Sequence, residues 1–314
     1  MIVQAVDSTG MPFPNCQVEL NTSALTEPVT VVTRTDGRAI FLGSRDGLSD
    51  EATISVRIIS PNGFELAETE LSSQFENGEM TTKISVNSSS GAQIADSLDL
   101  AFVLDCTGSM GDEIRYIQAE LKAICGMVDN LYPDVKQRYA LVAYRDNGDS
   151  FVSRRYDFTA SLEEIQNDLN AQEADGGGDF PEAVHVALAE ASQLSWSGGN
   201  TARVMFHLLD APPHDNMVGE SLNALSAIRS KGIAYYPVVA SGSDKLTELL
   251  MRTGAILTGG RYIFLTDHSG VGNPHAKPEV PSYDVELLAD LMVRMIATEL
   301  EGVEVPAKKI IEAK

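Results

Sequence analysis

The chain of 314 residues has little cysteine, a single tryptophan and few basic side chains. Its three cysteines, Cys16, Cys106 and Cys125, lie far apart with no CxxC pair, which excludes a disulfide framework and a zinc ribbon. Three separate thiols suit a reducing compartment. The first residues, MIVQAVDSTG, lack the basic segment and apolar core of a signal peptide, so a cytoplasmic setting is expected, with the cell surface as the alternative. No apolar run approaches the roughly 20 residues that a membrane helix needs, so no membrane segment is expected. Lys and Arg number 23 against 45 Asp and Glu, for a formal net charge of −22. So acidic a surface repels phosphate backbones, and nucleic acid is not an expected partner. The carboxylates are scattered rather than gathered into a tail. They suit a solubilising surface, part of which can be focused on a cation.

What is present divides in two. Residues 1–90 read as an all-β module, with apolar or alternating runs at Ile2–Val6, Cys16–Leu20, Val29–Val32, Ala39–Leu42, Ile54–Ile59 and Thr82–Val86. The clusters DSTG, TDGR and SPNG between them supply the Gly and Asn that turns require, and six or seven such strands predict a small sandwich. The segments VDSTGMPFPNCQVEL and TRTDGRAIF resemble the transthyretin-like and carboxypeptidase-regulatory sandwich group. Residues 91–97 read as a linker, continuing the small, polar stretch that begins at Asn87.

From residue 98 to about 302 strand and helix alternate, before a tail over 303–314. Leu98–Leu104 is nearly all apolar, as a strand buried on both faces must be. Ile114, Ile117, Leu121, Ile124 and Val128 recur at gaps of three and four, which predicts a helix over Gly111–Leu131. Strands are predicted at Tyr139–Tyr144, Phe151–Phe158, Val204–Leu209, Ile233–Val239 and Tyr262–Leu265. Helices are predicted at Leu162–Leu169, Pro181–Leu194, Ser221–Ser230, Asp244–Arg252 and Val285–Leu300. This order makes the fold class α/β, a doubly wound and mainly parallel sheet, preceded by the sandwich.

In such sheets ligands sit at the carboxyl ends of the strands. Three polar segments fall there: Asp105-Cys106-Thr107-Gly108-Ser109, Gly176-Gly177-Gly178-Asp179-Phe180-Pro181-Glu182, and Asp210-Ala211-Pro212-Pro213-His214. Asp105, Thr107 and Ser109 alternate along the first loop and can converge on one point, with Asp179 and Asp210 closing the shell. Carboxylate and hydroxyl oxygens suit a hard cation. Mg²⁺ is the first choice, because five small oxygen ligands and one or two waters make an octahedron; Mn²⁺ and Ca²⁺ are the alternatives. Gly108, Asp146, Glu182 and His214 are candidates for supporting this shell or meeting a partner.

The segment LDCTGSM resembles the DxSxS loop of von Willebrand factor type A domains, with Thr107 in place of the first serine, and Asp210 in HLLDAPPH matches the family's third-loop aspartate. The resemblance runs from about Leu98 to Leu300. It implies a metal-ion-dependent adhesion site in which a partner protein's acidic side chain completes the coordination. The family's second-loop threonine is replaced by Asp179, and GGGDFPEA, YRDNGD and YIFLTDHSGVGNPH are similar to the subgroup associated with atypical α-kinases. The extra carboxylate implies tighter cation binding and a poorer electrophile for an acidic partner.

Enzymatic readings lack their parts. The first loop has Thr107 where a DxDxT phosphatase needs its second acid, GSMG is no nucleophile elbow, and the triple glycine lacks a phosphate loop's lysine. The expected function is a non-enzymatic, metal-dependent protein-binding module. A structural subunit whose metal only staples the loops is the alternative, and a metal-dependent hydrolase or phosphatase is a distant third. His207, within VMFHLLD, reads as a core histidine; His268 and His275 would hold a second metal only by an improbable geometry.

Overall fold

The structure, a computed structural model, describes residues 1–49, 53–72, 74–76, 78–88, 94–240, 242–265 and 286–307. His268 and His275 lie outside these. The first seven strands are β1 (Ile2–Val6), β2 (Gln17–Thr22), β3 (Val29–Val32), β4 (Arg38–Ile40), β5 (Thr53–Ile59), β6 (Glu65–Ser72) and β7 (Thr81–Ser85). They form two sheets, of order β4-β1-β7 and β3-β2-β5-β6. Alternate residues such as Val18, Leu20, Ile54, Val56 and Ile58 fill the space between them. Strand β6 is absent from the sequence expectation. Its ELAETELS offers no deeply buried face, because it lies at an edge and is tied only to β5.

The second unit is a six-stranded sheet flanked by helices. In chain order these are β8 (Ser97–Asp105), α1 (Gly111–Leu131), β9 (Lys136–Tyr144), β10 (Ser153–Thr159), α2 (Leu162–Asn170), α3 (Val184–Ser192), β11 (Thr201–Leu209), α4 (Val218–Ser230), β12 (Ala234–Val239), α5 (Lys245–Thr258), β13 (Ile263–Phe264) and α6 (Leu288–Glu301). The strand order is β10-β9-β8-β11-β12-β13, all parallel except the antiparallel edge β10. Leu100, Phe102 and Leu104 pack on α1, α2 and α6, while Ala101 and Val103 face α3, α4 and α5. Burial on both faces explains the unbroken apolar run of β8. All three cysteines are free and buried. Among the described residues no helix is long and apolar enough to cross a membrane.

Several helix boundaries differ from expectation, α4 starting earlier at Val218 and α6 later at Leu288, and the structure explains two others. Helix α3 begins at Val184 rather than Pro181, because Glu182 N–H donates to the Pro212 carbonyl at 2.9 Å and Ala183 N–H to that of Arg145 at 3.3 Å. Those tertiary bonds hold the backbone out of the helix. Helix α5 continues beyond Arg252 to Thr258, through Gly254. A Cβ at Gly254 would stand 2.9 Å from the Tyr235 ring and 3.0 Å from Leu225, so the glycine lets the helix approach the sheet instead of ending it.

The sandwich docks at the end of the sheet where the helices finish. The chain between β3 and β4 lies against the residues that follow α4, α5 and α6: a Cβ on Gly232 would stand 2.8 Å from the Val32 carbonyl and one on Gly302 2.7 Å from that of Thr35. Arg34 donates to the carbonyls of Thr258 and Gly259 at the end of α5 and forms a forked pair with Glu299 of α6. Cations suit helix C-termini, where the last carbonyls lack partners. A second buried pair, Arg229 with Asp46, and a 2.8 Å bond from Arg203 to Asn15 Oδ1 add to the seam.

Candidate metal centre

The opposite end of the sheet carries the three polar loops. Strand β8 runs directly into Asp105, which is fully buried. One of its carboxylate oxygens accepts from Thr107 N–H at 3.0 Å and from the Thr107 hydroxyl at 2.7 Å. The other, Oδ2, is buried without a hydrogen-bond partner. Beyond Thr107 the backbone tightens into a 3₁₀ turn over Gly108–Met110, so alternation does not carry through to Ser109. Ser109 is instead exposed at the rim, where its hydroxyl steadies the Asp210 carboxylate. The Cys106 side chain is fully buried, and its thiol contacts the Leu104 carbonyl at 3.5 Å.

Backbone bonds hold the loops to one another. Gly108 N–H donates to the Gly176 carbonyl at 3.2 Å, Asp175 N–H to that of Cys106 at 3.1 Å, and Glu182 pairs with the third loop through a parallel bridge to Pro213. Gly176 and Gly177 have φ of +81° and +74°, and a Cβ on Gly176 would collide with the Asp149 carboxylate. That carboxylate is what fixes the turn, accepting from Gly177 N–H at 3.0 Å and from Asp146 N–H at 3.1 Å. Only glycine tolerates both demands.

Thr107, Ser109, Asp179, Glu182 and Asp210 line a single cleft of about 450 Å³, with Gly108, Phe180 and Gly242 among its other walls. Four of the five expected ligands therefore share the cleft, and Asp105 lies beneath it. Asp179 is exposed, whereas Glu182, three residues on, is buried with its Oε2 unpartnered. Among the described residues no three acidic, histidine or cysteine side chains already stand at ligand distance from a common point. The donor chemistry nevertheless fits a hard cation, since two of the lining groups are hydroxyls and two carboxylate oxygens are buried without partners.

Electrostatics mark the same spot. Burial pushes the Asp105 carboxyl up to about 7, with the neighbouring Asp210 adding to the rise and Thr107 and the Tyr144 hydroxyl opposing it. Glu182 is pushed up to about 9 by burial and then by Asp105, Asp146, Asp149 and Asp210. Asp210 is also raised by burial. Each shift reports a carboxylate short of positive charge.

Around the cleft, His214 Nε2 meets Asp146 Oδ1 at 2.8 Å, which places both beside the loops rather than in the cleft. Burial, followed by the nearby His214, lowers the pKa of His185. His207 is fully buried as expected, set between Tyr144 at 3.0 Å and Tyr235 at 2.7 Å, with burial lowering its pKa to about 3. Tyr144 was not singled out from sequence. It pairs in register with Asp105 across the parallel strands β8 and β9, a position that a strand alignment could have revealed.

Residues 99–248 match the model of the von Willebrand factor A domain family. This stretch contains β8 from its third residue and all of β9, β10, β11 and β12, together with all three loops. The protein therefore contains a von Willebrand factor A domain. Domains of this family are in general protein-interaction modules. The chain is 27% identical over 187 residues to an ariadne-like RING finger protein of Acanthamoeba polyphaga mimivirus, covering 54% of this chain and 18% of that one. It is 28% identical over 123 residues to the alpha-protein kinase vwkA of Dictyostelium discoideum, covering 38% and 19%. The match thus spans about a fifth of the length of these relatives. A solved von Willebrand factor type A structure from Catenulispora acidiphila is similar at 12% identity and a TM-score of 0.47, over 93% of this chain and 51% of that one.

Proposed function

We propose that the von Willebrand A rim binds a divalent cation and, so loaded, engages a protein partner without catalysing a reaction. Mg²⁺ is the first candidate and Mn²⁺ or Ca²⁺ the alternatives, held by Asp105, Thr107, Ser109 and Asp210 with a carboxylate of the second loop. The observation that carries this reading is the fully buried Asp105, with one oxygen unpartnered and Asp210 as its charged neighbour. An isolated buried carboxylate costs several kcal/mol, and a cation removes that cost. When bound, the ion would supply an electrophilic point at the rim. Asp105 would anchor it, the Thr107 and Ser109 hydroxyls would orient toward it, and exposed Phe180 would offer apolar contact beside it.

The reading in which the metal only staples the loops has less support. Backbone bonds already join the first loop to the second and the second to the third. Two curated relatives of different description each match this chain over a small part of their own length, which suits a recruitment module. The test is calorimetric titration of Mg²⁺ into the full chain and its Asp105→Asn variant, with partner capture in Mg²⁺ and in EDTA. Metal binding lost in Asp105→Asn, and a partner lost in EDTA while the melting temperature barely moves, is the expected result. No Mg²⁺, Mn²⁺ or Ca²⁺ binding by wild type refutes it. A large fall in melting temperature in EDTA with no metal-dependent partner favours the staple.

A further inference from the structure

Resting on the metal reading above, we infer that Glu182, rather than Asp179, supplies the second loop's carboxylate to the cation. The two lie three residues apart, and both line the cleft. They differ in everything else that makes a ligand. Glu182 is 3% exposed with Oε2 unpartnered, whereas Asp179 is exposed to solvent, where water satisfies its charge.

The backbone fixes Glu182 in the space between all three loops. Its N–H donates to the Pro212 carbonyl, and the bridge to Pro213 ties it to the segment that carries Asp210. Its carboxylate reaches under the glycine turn: a Cβ on Gly177 would stand 3.0 Å from Glu182 Oε1 and 3.2 Å from Thr107 Cβ. The glutamate head therefore sits beside the first-loop threonine while its backbone is held by the third loop. Asp105, the other carboxylate with an unpartnered oxygen, is among the charges that act on it. In the metal-loaded protein these side chains would turn between staggered conformers toward one ion. Asp179 would have to leave water to do the same. In this arrangement Asp179 stays at the rim, on the partner's side of the ion.

Three variants of the full chain separate the possibilities: Glu182→Gln, Asp179→Asn and Asp105→Asn, each measured by calorimetry with MgCl₂ and by thermal unfolding in EDTA. Glu182→Gln is expected to weaken Mg²⁺ binding by at least about tenfold, the minimum seen when groups supporting a metal are removed. In EDTA it is expected to raise the melting temperature, because a carboxyl whose ionisation burial opposes leaves the interior and the shape is kept. Asp179→Asn is expected to change neither. The paired signs distinguish a ligand from a merely structural glutamate, whose loss would lower the melting temperature in EDTA. Unchanged Mg²⁺ affinity in Glu182→Gln overturns the inference, as does loss of affinity in Asp179→Asn or a lower melting temperature of Glu182→Gln in EDTA. Failure of wild type to bind any of the three ions overturns the metal reading itself, a separate result.

Discussion

Replacing Arg34 by Met tests how the sandwich is held to the von Willebrand A domain. The Arg34 and Glu299 side chains are 11% and 2% exposed, so the substitution strands Glu299 with only the Tyr236 hydroxyl, 2.6 Å away. It also strips the donor from the Thr258 and Gly259 carbonyls at the end of α5. Removing one partner of a buried pair costs about 3–5 kcal/mol. At the roughly 2 °C per kcal/mol of larger domains, melting falls by ~6–10 °C. The loss should depend on pH. Burial already raises the Glu299 carboxyl and Arg34 opposes that rise, so deleting Arg34 lifts it further. A carboxyl raised in the fold costs nothing below its unfolded value, about 4.3, and destabilises increasingly as pH climbs through its folded value. The deficit of Arg34→Met against wild type is therefore largest near pH 8 and shrinks toward pH 5. Urea unfolding at both pH values, with Glu299→Gln and the double variant completing a cycle, measures it. A deficit under about 1 kcal/mol, well below that expected for a buried pair, or one of equal size at both pH values, refutes the reasoning.

In EDTA the protein should lose stability as pH rises from about 3.9 through about 7, because Asp105 is raised by burial and is ionised only at a cost; saturating Mg²⁺ should flatten that slope in thermal unfolding. Tyr144→Phe removes the hydroxyl bonded to His207 Nε2 and should cost about 1–3 kcal/mol in chemical unfolding, the penalty of an unsatisfied buried group. Gly176→Ala forces a side chain into φ of +81° and against Asp149, and should destabilise by about 1–2 kcal/mol or more while weakening Mg²⁺ binding by calorimetry.

The period of a helix was fully legible in α1, whose predicted bounds are those observed. Asp105 and Asp210 were legible for a related reason: each follows an apolar strand directly, so strand polarity alone puts it at the ligand end of the sheet. The second loop was not. Asp179 and Glu182 are both acidic and only three residues apart, and their difference in burial arises from bonds to Pro212 and Arg145 in other loops. The same bonds delay α3, and no local pattern encodes them.

By itself, the sequence determined the α/β alternation, the β module ahead of it and the location of a carboxylate-rich rim. These depend on hydrophobic period and turn residues within a few positions of each other, and local chemistry suffices for them. Only the tertiary structure decided which carboxylates are deprived of water and how the two units meet. Arg34 and Glu299 stand 265 positions apart in sequence, and Glu182 and Pro212 about thirty. Desolvation is set by everything packed around a group, so it exists only once distant segments have closed on each other.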